Sequence, residues 1–304
     1  MRKILVTGAS GFIGTHLVSN LLASRYDVSA ISKTGGNIGD FKIDAVDCTD
    51  WDALEKYISV NQFDSVIHLA ASIHSKLWGR DDSNISMLKN TQMVANILGI
   101  LKNRSKNNFN LVYVSSVSVH SGLNNINIFE DLPINPINPY SMGKYFGELI
   151  CQYYISIGVP IAILRVAAPY GFRMHDTVLK KFIERAIYSQ DLGLYGDGSR
   201  SQDFVYIKDI VEGIVLACDK RANGVFNISS GKSVSMKELA EMVLKIMPHS
   251  KSKIVHAPQD DPEKDYNVSY LYERARRSFG YKPKYSLEMG LKETINEMMK
   301  EIGK

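Results

Sequence analysis

Thr7-Gly8-Ala9-Ser10-Gly11-Phe12-Ile13-Gly14 follows a short apolar run, residues 4–7, and opens a stretch, residues 12–23, whose apolar side chains recur with helical spacing. Glycines at 8, 11 and 14 let the chain turn sharply out of a strand, bring backbone close to a diphosphate and pack the next helix against the strand it left. The helix N-terminus adds unpaired amide donors and positive potential at the same point. A glycine triplet alone says little. The strand before it and the helix after it make this a dinucleotide-binding turn.

Working outward, residues 28–31, 65–69, 111–115 and 161–166 are further β-branched runs, and residues 52–59, 87–101 and 140–155 carry helical spacing. Such alternation predicts βαβ units with right-handed crossovers, hence an α/β fold: a Rossmann-type doubly wound parallel sheet. Residues 121–139 hold five asparagines and three prolines and read as a loop leaving the sheet at a strand end, where these folds bind ligands. Beyond Val166 the alternation becomes irregular. Helices are expected over 176–188, 208–217, 269–279 and 287–299, strands over 203–207 and 224–228, and a glycine-rich turn over 193–201. Ser235 and Glu238 have capping-box spacing for a helix ending near Ile246. The expected division is a dinucleotide-binding part, 1–168, and a smaller C-terminal α/β part for substrate, 169–304, with 203–228 returning to the first.

Composition narrows the class. The 304 residues are 45% hydrophobic and 22% charged, ordinary for a globular chain, and the net charge of +4 makes no case for a nucleic-acid or membrane surface. Cys48, Cys151 and Cys218 fit neither a zinc site nor a redox pair, so no metal is expected and a reducing compartment is. No apolar segment approaches the ~18 residues of a membrane span, and the N-terminus lacks the form of a signal peptide. A cytoplasmic protein is expected.

The Gly-x-x-Gly-x-x-Gly spacing resembles that of the extended short-chain dehydrogenase/reductases, the epimerase/dehydratase group acting on nucleotide sugars. The likeness continues in order through His68-Leu69-Ala70-Ala71, Leu164-Arg165, Pro169-Tyr170-Gly171, Gly196-Asp197-Gly198, Asp203-Phe204-Val205-Tyr206 with Asp209, Phe226-Asn227-Ile228 and Leu287-Glu288-Met289-Gly290-Leu291. It implies a dinucleotide held by Gly8, Ser10, Gly11, Phe12, Ile13 and Gly14, by Asp47 and Cys48 near adenine, and by Leu69, Ala70 and Ala71. Where an NAD enzyme usually has an acid for the ribose 2′-hydroxyl, this chain has Ser32 and Lys33, a hydroxyl and a cation suited to the extra phosphate of NADP(H). NADP(H) is therefore the preferred cofactor, with NAD(H) the alternative. His68 reads as a packed structural histidine.

Tyr140 is followed four residues later by Lys144, so on a helix the two share a face and the ammonium can lower the phenol pKa. The resemblance adds Ser116, from the strand end Val114-Ser115-Ser116-Val117-Ser118-Val119, as the residue that bonds the reacting oxygen. It makes Tyr140 the proton donor and gives Lys144 a hold on the nicotinamide ribose. The family's usual Tyr-Gly after this strand is here His120-Ser121.

The departures are as telling as the matches. Sugar dehydratases of the group carry Asp-Glu after the catalytic Ser or Thr, and its decarboxylases a glutamate at the second of those positions. This chain has Val117 and Ser118, and neither is an acid or base. The epimerase-reductases that make activated fucose place Cys and His where Ser118 and Arg173 stand, and His175 reads as a loop histidine. A 4-ketoreductase or a 4-epimerase remains. Two arginines that grip substrate diphosphate in relatives are replaced by Gln202 and Asn267, and Ala168 replaces a common Asn. Arg173 and Arg200 are candidates to restore that charge, unless the substrate lacks a diphosphate.

The expectation is NADP(H)-dependent reduction of the C4 keto group of a nucleotide-linked 4-keto-6-deoxy sugar in polysaccharide synthesis. The alternatives are a nucleotide-sugar 4-epimerase with bound NAD and a non-catalytic dinucleotide-binding protein. Family members often pair through two helices, here 87–101 and 140–155, so a homodimer is expected. The stripe Met93, Ile97 and Leu101 fits either that interface or the core.

Overall fold

The computed structural model describes residues 2–73, 83–105, 109–258, 260–261 and 263–303. The first half alternates as the apolar runs predict: β1 (Lys3–Thr7), α1 (Phe12–Ala23), β2 (Asp27–Ser32), β3 (Gly36–Ile38), β4 (Phe41–Ala45), α2 (Trp51–Ser59), β5 (Ser65–His68), α3 (Ser83–Ser105) and β6 (Asn110–Ser116). A 3-10 turn (Val117–His120) and β7 (Ile126–Ile128) lead to α4 (Pro139–Ser156) and β8 (Ile161–Val166). Asn138 caps α4 reciprocally with Ser141, and Pro139 stands in its first turn, where a missing amide hydrogen costs nothing.

After β8 come β9 (Ala168–Tyr170), α5 (Val178–Ile187), β10 (Leu192–Leu194), β11 (Ser201–Tyr206), α6 (Ile207–Asp219), β12 (Gly224–Ile228), β13 (Ser233–Ser235) and α7 (Met236–Ile246). β14 (Ile254–His256), β15 (Val268–Tyr270), α8 (Glu273–Phe279) and α9 (Leu287–Glu301) close the chain. The Ser235–Glu238 capping box forms as read from the sequence.

The main sheet has the order β12-β8-β6-β5-β1-β2-β4-β3, parallel throughout except for β3, which runs antiparallel to β4. Helices cover both faces, so strands such as β5 and β8 are buried at every position and read as unbroken apolar runs. Adjacent residues of β1 point to opposite faces: Ile4 and Val6 join the core beneath α1 and α6, Leu5 the core beneath α2, α3 and α4. Met93, Ile97 and Leu101 belong to that second core.

The 203–228 segment divides. β12 lies beside β8 in the main sheet, whereas β11 pairs with β9 and β13 in a three-stranded sheet. The 121–139 segment is not a loop throughout: β7 within it pairs in parallel with β15, far along the chain. Three residues are too few to show a periodic pattern, so the strand was invisible among the asparagines and prolines. Among the described residues, no helix is long and apolar enough to cross a membrane.

Candidate active site

The turn after β1 depends on Gly8, which sits at φ +69°, and a Cβ there would lie 2.5 Å from the amide nitrogen of Ala70. The backbone beyond β5 thus passes directly against the turn. α1 begins at Gly11 without a side-chain cap, leaving its first amides available to an anion. These elements open onto a cleft of about 610 Å3 at the carboxyl ends of the strands.

The expected site residues that reach the cleft come from six separate stretches. Gly8, Ser10, Gly11, Phe12, Ile13 and Gly14 line it from the turn, Ser32 and Lys33 from the end of β2, Asp47 and Cys48 from beyond β4, and Leu69, Ala70 and Ala71 from beyond β5. Ser116 closes β6 at the same cleft, with Tyr140 and Lys144 from the first turns of α4. All three candidate catalytic residues and every candidate dinucleotide residue therefore share one cavity.

Several side chains are already engaged. Lys33 Nζ lies 2.9 Å from Asp47 Oδ2, so this cation is neutralised by the neighbouring carboxylate. The other Asp47 oxygen accepts from the Thr49 amide at 2.9 Å and its hydroxyl at 2.8 Å. Burial pushes the Asp47 carboxyl up, but the Thr49 donors and the Lys33 ammonium outweigh it and leave the group below the usual carboxylate range. The Ser32 hydroxyl is buried and donates to the Gly35 carbonyl at 3.3 Å.

The Tyr140–Lys144 relation differs from the simple expectation. Lys144 Nζ is buried and donates to the Val114 carbonyl at 2.9 Å. Burial brings its pKa down to about 8, with the Glu148 carboxylate pulling the other way. Desolvation holds the Tyr140 phenol above its ordinary value, and what opposes this is its hydrogen bond with Ser116 rather than the ammonium. Desolvation outweighs a cation that points to a backbone carbonyl instead of the phenol oxygen.

Beneath this group lies a buried ion network. Arg165 Nη2 reaches Glu148 Oε2 at 2.7 Å and Arg165 Nε reaches both Glu148 oxygens, while Ser115 donates to Glu148 Oε1 at 2.5 Å. Arg165 Nη1 donates to His120 Nε2 at 2.9 Å, so the other ring nitrogen carries the proton donated to the Pro133 carbonyl at 3.1 Å. The network ties the neighbour of Ser116 to the helix that carries Tyr140 and Lys144.

The substrate candidates scatter. Ser116 lines the cleft, but Val117, Ser118, Arg173, Arg200, Gln202 and Asn267 do not. Val117 is buried and Ser118 donates its amide to Ser116 Oγ at 3.2 Å, its own hydroxyl being buried without a partner. Arg200 is committed to Asp261 and Glu263 and is not free to supply missing charge. Asn267 accepts from the Ser201 hydroxyl at 2.5 Å, next to Gln202. Exposed Arg173 packs its guanidinium over the Phe172 ring.

Residues to which the sequence assigned no binding role also reach the cleft, among them Lys89 from α3, Thr34 after β2, and His175, whose ring meets the edge of Phe12 at 6.2 Å. His175 is not merely a loop histidine. Its signal was the nearby Pro169-Tyr170-Gly171 motif, which brings the following segment over the turn, where His16 bonds the Phe172 carbonyl at 2.9 Å.

Residues 4–229 match the NAD dependent epimerase/dehydratase family. The chain belongs to that family. A Methanocaldococcus jannaschii protein provisionally named UDP-glucose 4-epimerase is 31% identical, over 97% of this chain and 98% of its own. The UDP-N-acetyl-alpha-D-glucosaminuronate decarboxylase of Bacillus cytotoxicus is 30% identical, over 97% of each chain. Among solved structures, the UDP-glucose 4-epimerase of Thermotoga maritima with UDP-glucose superposes with a TM-score of 0.88 at 26% identity, over 99% of both chains. As a family member, this chain presents its glycine turn and its Ser-Tyr-Lys set on a single cleft.

Proposed function

We propose that the chain is a nucleotide-sugar 4-epimerase that holds NAD in this cleft. The observation that carries the reading is the Ser116–Tyr140–Lys144 set lining a dinucleotide-sized cavity, with only Val117 and Ser118 following Ser116. That pair supplies no carboxylate for dehydration or decarboxylation. The Lys33–Asp47 ion pair removes the free cation on which the NADP(H) expectation rested.

The uncapped start of α1 and the close approach at Gly8 fit a diphosphate, and the cleft walls fit the rest of a dinucleotide. When bound, NAD supplies a hydride acceptor and donor at the sugar C4. Ser116 Oγ orients the C4 oxygen, and Tyr140 Oη, once it has released its own phenol proton, takes that oxygen's proton and returns it. Lys144 holds the nicotinamide ribose and keeps a positive charge beside Tyr140. The reading assigns residues 1–168 with α6 and β12 to the dinucleotide and the remainder to the sugar nucleotide. A homodimer through α3 and α4 is part of it, and three free buried cysteines accord with a reducing cytoplasm.

Ser32, standing where NAD enzymes usually have an acid, favours a second reading: an NADP(H)-dependent 4-ketoreductase. One experiment separates the two. Dinucleotide released from the purified protein is identified by mass, and the protein is incubated with UDP-glucose without added dinucleotide. Retained NAD and appearance of UDP-galactose support the epimerase. Consumption of NADPH by a 4-keto-6-deoxy sugar, without interconversion, supports the reductase.

A further inference from the structure

Lys144 rests on a buried tyrosine that the reaction itself does not use. Tyr113, on β6, does not line the cleft, yet it meets Lys144 twice: its hydroxyl donates to the Lys144 carbonyl at 3.1 Å, and its ring lies 5.4 Å from Nζ. The contact is close enough to demand glycine one turn on, since a side chain at Gly147 would collide with the Tyr113 hydroxyl. The Tyr113 ring stacks on His68, with centroids 5.8 Å apart and planes 18° from parallel. His68 Nδ1 is hydrogen-bonded to Thr7 Oγ1 at 2.7 Å, and Thr7 immediately precedes Gly8. A line of contacts therefore runs from the dinucleotide turn, through the ends of β1 and β5, to the catalytic lysine.

We propose that Tyr113 is a positioning residue that seats Lys144, itself held in place by His68 and Thr7 from the strand that carries the dinucleotide turn. This rests on the reading of Lys144 as the group that holds the nicotinamide ribose. A ring beneath an ammonium stabilises its charged form, and the hydroxyl fixes the helix backbone at the residue that must be placed. The other groups around Lys144 are already fixed. Glu148 is committed to Arg165, burial keeps His68 neutral, and Tyr113 and Tyr140 hold their protons above ordinary phenol values.

The test is NADH binding by fluorescence across a pH range, with no sugar substrate required. In the wild type, affinity falls as pH rises through the Lys144 pKa of about 8, and the limb disappears in Lys144→Met. Tyr113→Leu moves the limb down by about half a pH unit or more, the worth of a buried cation–π contact. Tyr113→Phe keeps the ring, leaves the limb in place and weakens NADH binding about 3- to 10-fold throughout. Should Tyr113→Leu fail to fold, Tyr113→Phe decides alone. A Leu variant whose limb coincides with the wild type, or a Phe variant with undiminished affinity, overturns the proposal, as does a limb that survives in Lys144→Met. A wild type that binds no NADH at any pH overturns the dinucleotide reading and this one with it.

Discussion

Lys33 Nζ and Asp47 Oδ2 lie 2.9 Å apart, joining the residue after β2 to the second residue beyond β4 in the lining of the cleft. On the proposed reading of the cleft, the pair sets the charge beside the adenosine ribose. Asp47→Asn removes the carboxylate, frees the ammonium and leaves the Thr49 contacts an acceptor. A half-exposed ion pair is worth about 1 kcal/mol or less, so the ratio of NADPH to NADH affinity should rise by up to about fivefold. Fluorescence titration with both dinucleotides measures it. An unchanged ratio would mean that Lys33 does not face the 2′ position.

Tyr140→Phe keeps the ring and removes the hydroxyl that the proposed mechanism uses to exchange a proton with the sugar C4 oxygen. Loss of a general acid–base group typically costs 10²- to 10⁴-fold in rate, and NADH affinity should stay within about threefold. Retention of turnover in a UDP-sugar interconversion assay would remove Tyr140 from the proton path.

Removing one member of the Glu148–Arg165 pair strands a charge that is almost wholly out of water. Arg165→Met should therefore cost about 3–5 kcal/mol in urea unfolding, while adding Glu148→Leu should recover a large part of the loss. The two changes are not additive because they share one contact. A double variant as unstable as the single would show that the network's other bonds, to Ser115 and His120, outweigh the charge pair.

The sheet was legible because its strands are buried on both faces: residues 4–7 and 161–166 advertise themselves as apolar runs, and Asn138 and Ser235 mark helix starts through their caps. The cleft was legible for the same reason, since the residues read as dinucleotide contacts stand at strand ends or on the helix turns that face them, where the fold collects them. β7, β10, β13, β14 and β15 were not, because strands of three residues take their identity from distant partners rather than from their own pattern. The charge state of the site was hidden as well. Nothing in the sequence pairs Lys33 with Asp47 or Arg200 with Asp261, and nothing shows that Lys144 points to the Val114 carbonyl. Such partners are set by chain segments brought together only in the fold.

Two buried histidines make stability depend on pH. Burial lowers His68 to about 3 and, with the Arg165 cation, His120 to about 4, both from 6.5. The unfolded chain then binds more protons than the folded one below pH 6.5, so their contribution is complete above that pH and is lost on acidification. Asp203, raised by burial to about 6 from 3.8, works the other way, its contribution complete below 3.8 and lost as pH rises through about 6. Asp209, also raised by burial, acts with Asp203, but the two histidines are displaced furthest and leave a net loss. Melting temperature should fall between pH 6.5 and about 4, and His68→Asn should flatten the slope. A flat wild-type profile would mean that these rings are hydrated.

The apolar stripe that faces solvent is not the one the sequence singled out. Met93, Ile97 and Leu101 are core, whereas Leu88 on α3 and Phe146, Leu149 and Tyr153 on α4 are exposed, Leu88 to 63% and Tyr153 to 61%. Phe146, Leu149 and Tyr153 follow helical spacing and lie on one side of α4, and α3 packs beside that helix. Exposed apolar side chains on two helices that pack together are what an isologous dimer buries, since each helix can meet its symmetry mate across a twofold axis. Light scattering of the purified protein should give twice the chain mass of 34.0 kDa. Leu149→Glu with Leu88→Glu should give the monomer, because a charge at the centre of such a patch meets its own copy in the partner. None of these side chains lines the cleft, so NADH binding by the monomer tests whether the site is complete in one chain. A wild type that runs as a monomer would leave the stripe without the role assigned to it.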